Sequence, residues 1–204
     1  MKTNPATPDP EKILVFGGAF NPPTNAHAQI IQACLEAPDF SEVWVMPSGD
    51  RYDKQMATDD RHRLDMLRLI KRDQFGDSPR LKVTDFELEL PRPSETIRTV
   101  GALALAHPDT DFWFVYGADS YASMPQWQGG LALQAELSVA LLPRGDIELP
   151  PENEQIVHLP DIATDTAAVS STQVREALSI GKDIRHFVCN AVHEYIQQRA
   201  LYTA

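Results

Sequence analysis

Short, unbroken apolar runs alternate with segments whose apolar residues recur at helical spacing, and this pattern leaves the 204-residue chain few folds. Ile13–Phe16 runs into Gly17-Gly18 as a buried parallel strand would, and Ala26–Leu35 then carries Ile30, Ile31, Cys34 and Leu35 on one helical face. Val43–Met46, ended by Pro47-Ser48-Gly49, predicts a second strand, Asp50–Asp60 a loop, and Arg61–Arg72 a helix with Leu64, Leu67 and Ile70 together. Leu81–Val83, Phe112–Tyr116, Leu137–Leu142 and Ile156-Val157 predict further strands, with a helix over Ser94–Ala106. Ser170–Tyr202 reads as a small C-terminal helical extension broken at Gly181. Strand–helix alternation with short connections is the mark of a doubly wound parallel α/β sheet, Rossmann-like, with helices on both faces. Residues 1–12, with Pro5, Pro8 and Pro10, read as a loose tail before a single domain over 13–204, of which 170–204 is the helical part.

Charge and cysteine content exclude several classes of function. Eighteen Lys and Arg against 29 Asp and Glu give a net charge of −11, a field that repels polyanions and argues against a nucleic-acid partner. Any anionic ligand must therefore be held by a local site. No apolar run approaches the roughly 20 residues of a membrane helix, and the polar start does not resemble a secretory signal, so the chain reads as cytoplasmic with no membrane partner. Cys34 and Cys189 fall on apolar helix faces and read as core residues. The histidines other than His27 show no ligand spacing, and no metal site is expected within the protein.

In such a sheet ligands bind beyond the carboxyl ends of the strands, which directs attention to four stretches: Gly17-Gly18, 47–54, 117–119 and Pro143-Arg144. The first strand leads into Gly17-Gly18-Ala19-Phe20-Asn21-Pro22-Pro23-Thr24-Asn25-Ala26-His27, which is neither a dinucleotide GxGxxG nor a P-loop. Its glycines let backbone N–H groups approach a phosphate, and the following helix aims its positive end at the same space. Thr24 and His27, three apart, can turn a hydroxyl and an imidazole toward that anion; equally, Thr24 can be an N-cap and His27 a solvated first-turn residue. Near the other end, Ser170 and Gln173 form a capping box, which leaves Ser171, Thr172 and Arg175 as surplus donors on a second electropositive helix end.

With these blocks in view, the chain resembles the nicotinamide and nicotinic acid mononucleotide adenylyltransferases, nucleotidyltransferases marked by a (H/T)xxH signature that Thr24-Asn25-Ala26-His27 fits. The likeness extends through Pro47-Ser48-Gly49 with Lys54, Gly117-Ala118-Asp119 with Trp127, Ser170-Ser171-Thr172 with Arg175, and Ile184-Arg185 to Tyr202, most of the chain from Ile13 onward. It implies transfer of an adenylyl group from ATP to a pyridine mononucleotide, with release of pyrophosphate, formation of an NAD-type dinucleotide, and no protein nucleophile. It further implies catalytic roles for Thr24, His27 and Arg175 on the ATP phosphates, and ATP contacts from Gly17, Gly18, Ala19, Phe20, Gly117, Asp119, Ser171 and Thr172. Lys54 and Arg144 would meet the mononucleotide phosphate, Thr96 and Trp127 the pyridine ring, and Mg²⁺ would bridge phosphate oxygens. A homo-oligomer is left open. Asp119 also suits a turn or helix cap, and Trp127 a core anchor.

Three departures from the bacterial pattern bear on the choice of mononucleotide. Asn21 with Thr24-Asn25 follows the wording of the branch that accepts nicotinamide mononucleotide, and Tyr52-Asp53-Lys54 keeps the lysine of a P-H-K loop without its histidine. Ser94-Glu95-Thr96 stands where S-Y-T is usual and brings a carboxylate beside the expected ring pocket. Two like charges about 4 Å apart repel by about 1 to 4 kcal/mol near a surface, which predicts appreciable use of nicotinamide mononucleotide; the alternative has Glu95 facing solvent from a first helical turn. Two other readings share the fold: a non-catalytic nucleotide-binding relative, and an adenylyltransferase for another phosphate ester such as phosphopantetheine.

Overall fold

In the computed structural model, which describes residues 10–50, 56–162 and 169–203, the alternating pattern becomes a six-stranded, all-parallel sheet. The elements in chain order are β1 (Glu11–Gly18), α1 (Asn25–Glu36), β2 (Glu42–Pro47), α2 (Asp60–Ile70), β3 (Leu81–Val83), α3 (Thr96–Ala106), β4 (Thr110–Gly117), α4 (Ala118–Ser123), α5 (Gly130–Glu136), β5 (Val139–Leu142), β6 (Ile156–His158), α6 (Ser171–Ser179) and α7 (Asn190–Gln198). Strand order 3-2-1-4-5-6 puts the reversal of direction between β1 and β4, and the crevice outside their carboxyl ends is where such a sheet binds ligands.

Because successive side chains of a strand point to opposite faces, each central strand feeds two cores. Leu14 and Phe16 of β1 join Val43, Val45, Trp113 and Val115 beneath α1, α2, α6 and α7. Val15 joins Met46, Phe114, Val139 and Leu141 beneath α3 and α5. The unbroken apolar runs are thus strands covered on both sides. Cys34 and Cys189 are free thiols in the first of these cores, as expected, though Cys189 precedes α7 as its N-cap and is not on a helical face. Among the described residues no helix is long and apolar enough to cross a membrane.

The structure differs from the sequence expectation at several boundaries. β1 takes in Glu11 and Lys12, two residues read as tail, by pairing them with Thr110 and Asp111. The helix expected from Ser94 starts at Thr96, because Ser94 is held in the loop by its hydroxyl to Glu87 and its N–H to Asp50 O. The strand expected from Leu137 starts at Val139, and the residues before it are α5, which the pattern did not indicate. α4 and α5 have only 6 and 7 residues, too short to show a period, and Gly129 (φ +67°) with Gly130 forms the tight turn between them. An ideal Cβ on Gly130 would stand 1.8 Å from Met124 O, so only glycine fits there. The C-terminal part is not one broken helix: α6 ends at Ser179, Gly181 (φ +68°) turns the chain, and α7 resumes only at Asn190.

Candidate active site

The two electropositive helix ends meet at the carboxyl end of β1. α1 begins after Pro22-Pro23, and α6 begins at its capping box, in which Ser170 Oγ accepts from Gln173 N (3.2 Å) and Gln173 Oε1 accepts from Ser170 N (2.8 Å). They are joined through the β1–α1 loop: Ser171 Oγ donates to Pro22 O (2.7 Å), Arg175 Nη1 to Asn21 O (2.7 Å), and Tyr202 OH to Asn21 Oδ1 (2.8 Å). Asn25 N donates to Phe187 O (2.9 Å), which draws the C-terminal part onto the same loop. Buried Asn21 is therefore the hub between the two ends of the chain.

Two cavities open on either side of the β1 and β4 strand ends. One, of about 360 Å³, is walled by His27, Gly117, Ser120, Arg144, Ser170 and Ser171; the other, of about 750 Å³, by Ser48, Glu87, Glu95, Thr96, Tyr116 and Trp127, among others. Gly17, Gly18, Val115 and Tyr116 line both, so the two spaces share a wall at the switch point.

His27 is the best-defined group on the smaller side. Its Nδ1 accepts the N–H of Thr24 at 2.9 Å, with Thr24 Oγ1 at 2.8 Å from the same nitrogen. A nitrogen accepting from an amide carries no proton, so the proton of the neutral ring is on Nε2. Burial, and next the Arg144 charge, push the imidazole down to about 4 from an ordinary 6.5, so the ring is neutral at physiological pH. Phe20 packs against it with ring centroids 5.0 Å apart. An ideal Cβ on Gly18 would lie 3.2 Å from that Phe20 ring, tighter than an ordinary contact. Arg144 stands 3.7 Å from Asp119, and an ideal Cβ on Gly117 would lie 2.6 Å from Asp119 Oδ1.

Several expected site residues take other places. Thr24 is fully buried at the N-cap and holds His27 rather than facing the cavity, because its polar atoms are spent on the imidazole. Phe20 is core, 1% exposed, beneath that ring. Arg175 and Thr172 line neither cavity; the Arg175 guanidinium is tied to Asn21 O and Thr172 Oγ1 (3.2 Å). Asp119 lines neither and faces Arg144, and Arg144 belongs to the His27 side. Ala19 lines only the larger cavity. Lys54 lies outside the described residues.

On the larger side Trp127 and Tyr116 meet edge to face, centroids 5.6 Å apart, and Glu95 is in the wall with its side chain 11% exposed rather than in solvent. Sequence reasoning missed Glu87, whose carboxyl is pushed up by burial while the Ser94 hydroxyl donates to it. It sits in a single 3₁₀ turn (Phe86–Glu89) with no periodicity to mark it. Also missed was Arg63, fully buried on α2, which donates to Ala19 O (2.7 Å), Ser48 O (2.6 Å) and Asp60 Oδ1 (2.5 Å). It fastens the loops after β1 and β2 together. Only the presence of an arginine among the apolar residues of α2 hinted at it.

Known proteins resemble this chain over nearly its full length. The cytidylyltransferase-like family model matches residues 15–177. A Bacteroides fragilis protein named a probable nicotinate-nucleotide adenylyltransferase is 33% identical over 195 residues, 92% of either chain. One of the same name from Shouchella clausii is 33% identical over 94% of this chain and 97% of its own. The nicotinic acid mononucleotide adenylyltransferase of Plasmodium falciparum, solved in complex with NaAD, superposes with a TM-score of 0.80 at 22% identity, over 94% of this chain and 97% of that one. The chain therefore belongs to the cytidylyltransferase-like family of nucleotidyltransferases, in the group of the nicotinate-nucleotide adenylyltransferases.

Proposed function

We propose that this protein transfers the adenylyl group of ATP to a pyridine mononucleotide, and the observation that carries the reading is the neutral, Thr24-held imidazole of His27 in a donor-rich cavity that shares the Gly17, Gly18 and Tyr116 wall with an aromatic one. A mononucleotide phosphate oxygen attacks the α-phosphorus of ATP, the bond from that phosphorus to the bridging oxygen breaks, and pyrophosphate leaves with the electron pair. No protein nucleophile or proton acceptor is required, so the protein contributes position and charge stabilisation. His27 Nε2–H donates to a phosphate oxygen as negative charge builds, and its low proton affinity keeps the ring from gaining a second proton. The backbone N–H groups of Ser171 and Thr172 at the α6 start take the outer phosphates while the Ser171 hydroxyl stays on Pro22 O, and Arg144 adds a cation on the same side. Arg175 acts by holding α6 to Asn21.

Hydroxyls, backbone N–H groups, a guanidinium and a neutral imidazole suit phosphate oxygens, and the carboxylate of Asp119 beside them faces Arg144. Such donors would suit phosphates that carry their own Mg²⁺, which would supply charge neutralisation there without a protein cage. The Tyr116–Trp127 corner suits a flat ring better than a flexible pantetheine arm. The test is pyrophosphate release with ATP, Mg²⁺ and each pyridine mononucleotide, with the dinucleotide identified by mass. Tight ATP binding with no pyrophosphate from either would make the protein a non-catalytic binder.

A further inference from the structure

Left-handed backbone is costly for a residue with a side chain, and among the described residues it occurs at three non-glycine positions: Phe20 (φ +45°), Ala200 (φ +49°) and Tyr202 (φ +62°). All three converge on Asn21. Phe20 precedes it in the β1–α1 loop, and the turn after α7, which contains Ala200 and Tyr202, brings the Tyr202 hydroxyl onto Asn21 Oδ1 (2.8 Å). Asn21 is 2% exposed and its Oδ1 has no other donor among the described residues, so loss of that hydroxyl would strand a buried acceptor. Burial also pushes the Tyr202 phenol up, so it remains protonated and able to donate at any working pH. Strained conformations persist only where their surroundings hold them, and here Arg175 holds the Asn21 carbonyl while Tyr202 holds its side chain.

The strained loop places one aromatic ring. With its backbone turned back, Phe20 packs edge to face against the imidazole of His27, centroids 5.0 Å apart, and against Phe16 at 5.3 Å. Thr24 fixes His27 at a single ring atom, Nδ1, and the Phe20 ring closes one side so that the imidazole cannot swing about that bond. We propose that Tyr202 is a positioning residue for adenylyl transfer: through Asn21 it keeps Phe20 in its left-handed conformation, and Phe20 in turn keeps the His27 Nε2–H aimed at the phosphates. The inference rests on the adenylyl-transfer reading and gives the turn after α7 a task in the chemical step.

The experiment compares the full-length wild type with Tyr202→Phe, which removes only the hydroxyl. Its kcat is expected to fall about tenfold, with the ATP and mononucleotide KM values within about twofold of wild type and the melting curve close to it. In the same variant, without substrate, the carbon-bound proton resonances of the His27 ring should shift, because they sense the neighbouring Phe20 ring. Phe20→Leu should lower kcat by a similar factor, and the double variant Phe20→Leu/Tyr202→Phe by no more than either alone, since both changes act on one imidazole. An active wild type with kcat unmoved in Tyr202→Phe, a loss confined to KM or to folding, unshifted His27 resonances, or losses that multiply in the double variant overturns the proposal and leaves adenylyl transfer intact. A wild type that turns over neither pyridine mononucleotide overturns both.

Discussion

The two cavities at the β1–β4 switch point share Gly17, Gly18 and Tyr116 yet have opposite chemistry. The His27 side presents helix N-termini, hydroxyls and Arg144; the Trp127 side presents aromatic rings and two carboxyls. The contrast follows from strand direction. A parallel sheet sends every helix away from the carboxyl ends with its N-terminus toward the crevice, so donors come from the backbone at no cost in side-chain charge. The Trp127 side also receives the first turn of α3, but the loop before that helix adds the carboxyls of Glu87 and Glu95 to the wall.

The contrast can be broken most severely at the residue that joins the loops after β1 and β2. Replacing Arg63 with Met leaves Ala19 O and Ser48 O without their donor and Asp60 with Arg92 alone, and should cost about 3 to 5 kcal/mol of stability in urea unfolding. An unchanged midpoint would mean the two loops hold without it. Next in size, His27→Ala should lower kcat by about 10²- to 10³-fold, the usual cost of one donor to developing charge, with the mononucleotide KM little altered. A fall confined to KM would make His27 a binding group only. On the other side Trp127→Ala should raise the mononucleotide KM by about tenfold, from lost ring contact, and leave the ATP KM in place. Equal changes in both would dissolve the distinction between the cavities.

The mildest expectation concerns pH. His27 is neutral in the folded state down to about 4, whereas the unfolded chain's imidazole protonates near 6.5. The unfolded state thus binds the proton first, so this group costs no stability above 6.5, costs progressively more as pH falls toward 4, and adds no further loss below that. His27→Asn should flatten that part of the stability–pH curve, and NMR titration of the wild-type ring should show no inflection near 6.5.

Part of this was legible in the linear chain because the physics is local. Ile13–Phe16 is unbroken because β1 is covered on both faces, and the spacing of Leu64, Leu67 and Ile70 is the buried stripe of α2. The capping box at Ser170 was readable because its partners are three residues apart. α4 and α5 were not, since six or seven residues around Pro125 and Gly129-Gly130 carry no period. Arg63 and Glu87 were missed for a different reason: what makes each matter is a partner on another loop, 44 residues away at Ala19 for the one and 7 away at Ser94 for the other.

The residues alone thus determined the order of the strands and the longer helices, the two electropositive helix ends, and the identity of the groups able to hold phosphate, because propensity, period and capping act over a few positions. Tertiary structure decided which of those groups face the ligand space. Thr24 and Arg175, expected at the phosphates, are spent on holding His27 and Asn21, while Glu87 and Glu95 enter a cavity wall. A side chain's task depends on which donors and acceptors lie within about 3 Å of it, and only the packed chain brings those together.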